Sequence, residues 1–190
     1  MQSNPLKIIF YCLALSFTFL SCKDSERKEV NSLLKEWIGK ELIFPSNQYA
    51  SIMGDSTVLF SDYISDNSRW KIVFYADSLG CVSCNLNLLE WMDFMEIADS
   101  ITGKNVSFFF YFAPKKEKEI ISTLRLEKFN VPVFIDYRRK FDELNRLPEN
   151  QLFRTFLLDE NNKIRLIGNP IHGMERLYLK VLDKQYREDD

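Results

Sequence analysis

Cys81 and Cys84 stand three residues apart, with Val82 and Ser83 between them. A pair at this spacing reaches across one helical turn and can work as a dithiol: one thiolate attacks a disulfide and the other expels the product. The thiolate is the reactive form. It is favoured near a helix's first turn, where unpaired amide N–H groups and the positive dipole end gather. The same spacing occurs in zinc sites, which need four nitrogen, sulfur or oxygen ligands. His172 is the only histidine, and beyond Cys22 the chain has no cysteine besides Cys81 and Cys84. That ligand count argues against zinc and leaves an inert structural disulfide as the rival to redox chemistry.

The flanking residues say what positions the thiols. Lys71 to Ala76, KIVFYA, is a β-branched and aromatic run of the kind that forms a strand buried on both faces. Asp77, Ser78 and Gly80 read as turn formers. Beyond the cysteines, Leu88, Trp91 with Met92, Met95 and Ala98 recur three or four apart, with Asn87, Glu90, Asp93 and Glu96 on the polar side. That is an amphipathic helix. A strand, a loop, a CxxC pair and a helix in this order resemble the active-site region of the thioredoxin superfamily. The chain layout resembles its TlpA-like and AhpC-like redoxin branch, especially small lipoproteins of the Bacteroidetes type. The resemblance implies Cys81 as nucleophile and Cys84 as resolving thiol.

Residues 1–21 are expected to lie outside the fold. Lys7 is their only charge, Ile8 to Leu20 is apolar, and Leu20-Ser21-Cys22 closes the run. Such a stretch is short for a bilayer span and suits the apolar core of a secretory signal. Phe19-Leu20-Ser21-Cys22 resembles a bacterial lipobox, which implies lipidation at Cys22 and an anchored mature protein. Lys23 after that cysteine favours outer-membrane retention by the same resemblance. Lys23-Asp24-Ser25-Glu26 is similar to acidic export signals, so the chain is expected to face the periplasm or the cell surface. Cys12 falls in the signal, which leaves Cys81 and Cys84 for chemistry in an oxidising compartment. Loss of Lys7 takes the formal charge from −2 to −3, so no basic field holds nucleic acid or an anionic membrane.

The rest of the chain supplies the frame. Residues 22–41 read as a tether and a helix, with Val30, Leu33, Leu34, Trp37 and Ile38 on one face of a helix over 29–40. Leu42 to Pro45 begins an N-terminal extension. A strand is expected near Thr57 to Phe60, and a strong one over Val106 to Phe112 between Gly103 and Pro114. A helix over 117–129 carries Ile120, Ile121, Leu124 and Phe129, and Val131 to Ile135 forms a third buried strand ending at Asp136. A short helix over 137–147 turns Phe141, Leu144 and Leu147 inward. Phe153 to Leu158 and Lys163 to Ile167 flank a turn at residues 159–162, which makes a hairpin. A last helix covers Met174 to Leu182, and 184–190 is a charged tail. Strands alternating with helices predict an α/β fold. Together with the resemblance this gives a thioredoxin-like three-layer sandwich over 42–183, with a central mixed sheet.

Three features depart from the family pattern. The cis-proline that faces the CxxC has Phe153 or Arg154 in its place; Pro132 and Pro148 lie elsewhere. Leu79-Gly80 replaces the usual tryptophan before the first cysteine, and Val82-Ser83 is not a familiar dipeptide between the two. The peroxidatic Pro-and-Thr motif of AhpC-like proteins is absent, and so is the cysteine spacing of copper chaperones in this fold. Asp77 is weighed as a loop former against a proton acceptor for Cys84, and His172 as a solvated turn residue. No cofactor and no metal are called for. The sequence thus points to a thiol-disulfide oxidoreductase acting on the disulfides of exported client proteins, recharged by an unidentified membrane or periplasmic redox partner. The alternative is a non-catalytic binding or assembly module that keeps the fold around a structural disulfide.

Overall fold

Unbroken apolar runs make the central strands, because only a strand covered on both faces can bury every side chain it carries. The computed structural model describes residues 27–28, 30–46, 48–52, 56–59, 68–77 and 86–187, the side chains of 56–59 and 184–187 excepted. All four cysteines, the signal expected over 1–21 and the turn expected at Ser78 and Gly80 lie outside the described residues. The chain divides into two units, Met1–Trp37 and Ile38–Asp190. In the first, residues 30–37 are helical.

The second unit runs β1 (Tyr49–Ile52), β2 (Ser56–Leu59), β3 (Trp70–Asp77), α1 (Leu88–Thr102), β4 (Val106–Ala113), α2 (Glu117–Leu126) and β5 (Val133–Ile135). It continues through α3 (Lys140–Asn145), a 3-10 turn Gln151–Phe153, β6 (Thr155–Leu158), β7 (Ile164–Ile167), a π-type turn Pro170–Met174 and α4 (Glu175–Arg187). The described strands form one mixed sheet in the order β2-β1-β5-β4-β3-β6-β7. β3, β4 and β5 are parallel, and the β1–β2 and β6–β7 pairs join them antiparallel at either side. Residues 39–42 run along the second hairpin, where Gly39 N donates to Ile164 O (2.8 Å) and Leu42 N to Asn162 O (2.9 Å).

Side chains alternate across the sheet, and each face finds its own cover. Ile72, Phe74, Phe108, Phe110 and Phe112 pack with Trp91 and Phe94 of α1, Ile120 and Leu124 of α2, and Tyr178 and Leu182 of α4. On the other face Tyr111 stacks on Phe141 of α3 at 4.3 Å and on Phe134 at 4.8 Å, and Phe44 tilts against Phe109 at 5.4 Å. Helices on one side, the sheet, and α3 with the 39–46 segment on the other make the expected three layers. Gly168 closes β7 at φ +118, where an added Cβ would meet Met174 Sδ at 2.2 Å, and its carbonyl accepts the Tyr178 hydroxyl at 2.7 Å. That contact seats α4.

Several sequence expectations shift. β1 lies in a stretch that showed no strand signal, Leu144 of α3 faces outward, and Asp77 is the last residue of β3 and buried instead of a turn former. α3 is only six residues long, and Phe141 and Asn145 take its inward face; Leu147 is also buried but lies past the helix end. Asp77 stays in the strand because partners reach its carboxylate.

Candidate functional site

The two cysteines fall, by chain order, in the connection between β3 and α1. That connection leaves the sheet at the carboxyl end of the parallel strands, where open α/β sheets gather their functional loops. Cys81 and Cys84 themselves lie outside the described residues. What can be described is the ground on either side of them: Asp77 at the end of β3 and Leu86-Asn87-Leu88 at the start of α1.

α1 begins at Leu88 after Asn87, whose backbone is left-handed (φ 46). The helix therefore starts four residues beyond Cys84, later than an immediate hand-over from the thiols to a first turn. Its other end is capped by Gly103, also left-handed, whose N–H bonds Asp99 O.

Asp77 is the hub. Its Oδ2 accepts Arg154 Nη1 at 2.6 Å and Arg139 Nη2 at 3.2 Å, and its Oδ1 accepts Gln151 Nε2 at 2.5 Å. The Arg154 side chain is 5% exposed and that of Asp77 1%, so their ion pair is desolvated, whereas Arg139 at 45% remains in contact with water. Arg154 is held further by its Nε bond to Pro148 O (2.6 Å) and by its guanidinium 5.8 Å over the Tyr75 ring. Its carbonyl accepts Tyr75 N at 3.0 Å, which ties the head of β6 to β3. With both oxygens engaged by donors, Asp77 anchors the end of β3. The proton-acceptor role weighed from the sequence involves Cys84, which lies outside the described residues.

Arg139 reaches the hub because Asp136 sets the start of α3. The Asp136 carboxylate accepts Lys140 N and Phe141 N, both at 2.8 Å, and burial raises its pKa although those two bonds pull the other way. Arg139 then stands at φ 52 and bonds Asp142 (2.6 Å) as well as Asp77. Gln151 comes from the 3-10 turn, which Asn150 caps through Leu152 N at 3.0 Å. Three side chains from two connections thus meet at one carboxylate.

No family model and no curated protein sequence matches this chain. Solved structures do. PrxQ from Xylella fastidiosa, solved as a mutant, superposes with a TM-score of 0.54 at 16% identity, over 78% of this chain and 96% of that one. A domain of a possible thiol-disulfide isomerase from Cytophaga hutchinsonii gives 0.52 at 15% identity, over 80% and 97%. A putative protein disulfide isomerase from Bacteroides thetaiotaomicron gives 0.54 at 12% identity, over 80% and 88%. The chain has a thioredoxin-like fold.

In this thioredoxin-like domain Arg154 stands at the head of β6, and no cis peptide bond occurs among the described residues. Pro148 lies upstream, and its carbonyl serves Arg154. His172 is exposed on the π-type turn. Sequence reading missed the roles of Arg139, Gln151 and Arg154. One signal was present: a carboxylate closes one buried strand and a guanidinium opens another, and charges so placed stay buried only when paired.

Removing Asp77 strands a buried guanidinium. Asp77→Ala is expected to lower the unfolding free energy by about 3–5 kcal/mol, whereas Arg139→Ala, at an exposed pair, costs about 1 kcal/mol or less. Urea denaturation of the two variants checks this; equal losses would contradict the assignment of the buried pair as the anchor.

Proposed function

We propose that this chain is an exported, lipid-anchored thiol-disulfide oxidoreductase whose Cys81 and Cys84 cycle between dithiol and disulfide. The observation that carries the reading is the place of the two cysteines in the chain, between β3 and α1 of a thioredoxin-like fold. The similar structures include proteins named as a possible thiol-disulfide isomerase and a putative protein disulfide isomerase, which agrees with it.

In the reducing direction the Cys81 thiolate attacks one sulfur of a client disulfide. A Cys81–client bond forms, the client S–S bond breaks, and the first client sulfur leaves as a thiolate that takes a proton. Cys84, as thiolate, then attacks Cys81 Sγ, forms the 81–84 disulfide and releases the second client thiolate. Two electrons pass to the client. A dithiol donor in the membrane or periplasm returns them to the protein. Cys22 carries the lipid that holds the domain at the outer membrane, facing the periplasm or the cell surface.

A second reading, a binding module around a fixed disulfide, draws on one observation. Arg154 with an ordinary trans backbone stands where the family's cis-proline is expected, so strand-like pairing with a client is altered at that point.

Two measurements test the proposal. Cys81→Ser is expected to abolish reduction of a disulfide-bonded model client, and Cys84→Ser to trap a Cys81 mixed disulfide visible on a non-reducing gel. Trapping in neither variant would favour the binding module, and the reverse pattern would exchange the two roles. For the anchor, labelled palmitate is expected in the full chain and not in Cys22→Ala; equal labelling would remove the lipid from Cys22.

A further inference from the structure

α1 is unusual in its charge. Glu90, Asp93, Glu96 and Asp99 are its charged residues, with no lysine or arginine and none in the last turn, where the helix dipole favours cations. Between these acids the helix exposes Leu89 (57%) and Ile97 (40%). Of the four acids, Asp99 has Lys104 nearby; exposed apolar side chains beside Glu90 and Asp93 are a poor design for a merely solvated face.

Two clefts flank this ridge. One, of about 260 Å³, is lined by Phe94, Ile97 and Ile171 with Glu90, Asp93 and Glu175 around them. The other, of about 240 Å³, is lined by Leu86, Leu88 and Leu89 together with Glu90, Glu127 and Thr123. Among the described residues no lysine or arginine lines either. Glu90 belongs to both, and its carboxylate accepts a long 3.4 Å bond from Asn87 Nδ2, a neutral donor. Each cleft thus offers apolar contact with negative charge beside it.

Covalent reach brings the cleft lined by Leu86 close to the thiols, and Glu90 joins it to the second cleft. Leu86 is two residues from Cys84, so their Cα atoms are within about 7 Å whatever path the chain takes. We propose that the clefts along α1 seat a basic segment of the polypeptide client, with lysine or arginine among apolar residues, next to its cystine. This rests on the redox reading and adds to it the class of client. Charge complementarity chooses the occupant: an acidic or neutral segment gains nothing from Glu90, Asp93, Glu127 and Glu175, while a basic one is both steered and held by them.

The test uses the reduced full chain and two synthetic cystine peptides, alike in apolar residues, one with lysines and one with glutamates beside the cystine. The basic peptide is expected to be reduced about tenfold faster at low ionic strength, the scale that three exposed charge pairs supply. The ratio should shrink as salt shortens the Debye length. In the triple variant Glu90→Lys, Asp93→Lys, Glu175→Lys the order should invert in favour of the acidic peptide, an outcome that misfolding cannot mimic. Equal rates, or a ratio the triple variant does not move, would overturn the proposal. If neither peptide is reduced, the redox reading fails by itself, and fluorescence anisotropy of the labelled basic peptide decides the cleft: binding that the variant abolishes supports it, and no binding overturns it. Should the face join two copies of the chain, sedimentation of the variant would shift to monomer with a flat peptide ratio, which also overturns it.

Discussion

A carboxylate at the end of a strand buried on both faces stays charged only if donors replace the water it has lost. Asp77 meets that condition with Arg154, Arg139 and Gln151, and the arrangement of this end of the domain follows from it. Arg154 fixes where β6 begins, Arg139 ties in α3, and Gln151 holds the 3-10 turn. The connection carrying Cys81 and Cys84 leaves the sheet one residue after the hub. The strand before the cysteines thus ends at a carboxylate held by three side-chain donors, and α1 begins after the left-handed Asn87.

How much of this the sequence discloses depends on the range of the forces involved. The runs over 71–76 and 106–112 are legible as strands because burial on both faces leaves room for only one polar residue in each, Lys71 and Ser107. Lys71 is the exception within its run, and it is tolerated because its stem lies along apolar surface while Nζ reaches Glu160 O at 3.1 Å. Burial lowers its pKa against the attraction of Asp159 and Glu160. The α1 period and the turn at residues 159–162 are equally local signals. β1 escapes because YASI has neither an apolar run nor clean alternation, and pairing with β2 and β5 overrides its weak propensity.

The hub is illegible for a different reason. Asp is a frequent turn former, so Asp77 beside Ser78 and Gly80 reads as loop, and the partners that hold it in the strand stand 62 to 77 residues away. Nothing in a window of the sequence announces such a contact. The acidic bias of α1 is by contrast plain in the sequence, yet its meaning depends on the clefts, which only the packing of α2 and the 170–175 turn beside that helix creates.

A strand end anchored at Asp77, a thioredoxin-like fold, and a cysteine pair in the chain between β3 and α1 support one proposal: that an 81–84 disulfide is made and broken in function. Its reduction potential, obtained by equilibrating the chain in glutathione and dithiothreitol buffers, tests that claim most directly. The account predicts a value between about −120 and −270 mV, where exchange with clients and donors is feasible. A value below about −300 mV would mark a structural disulfide and contradict it.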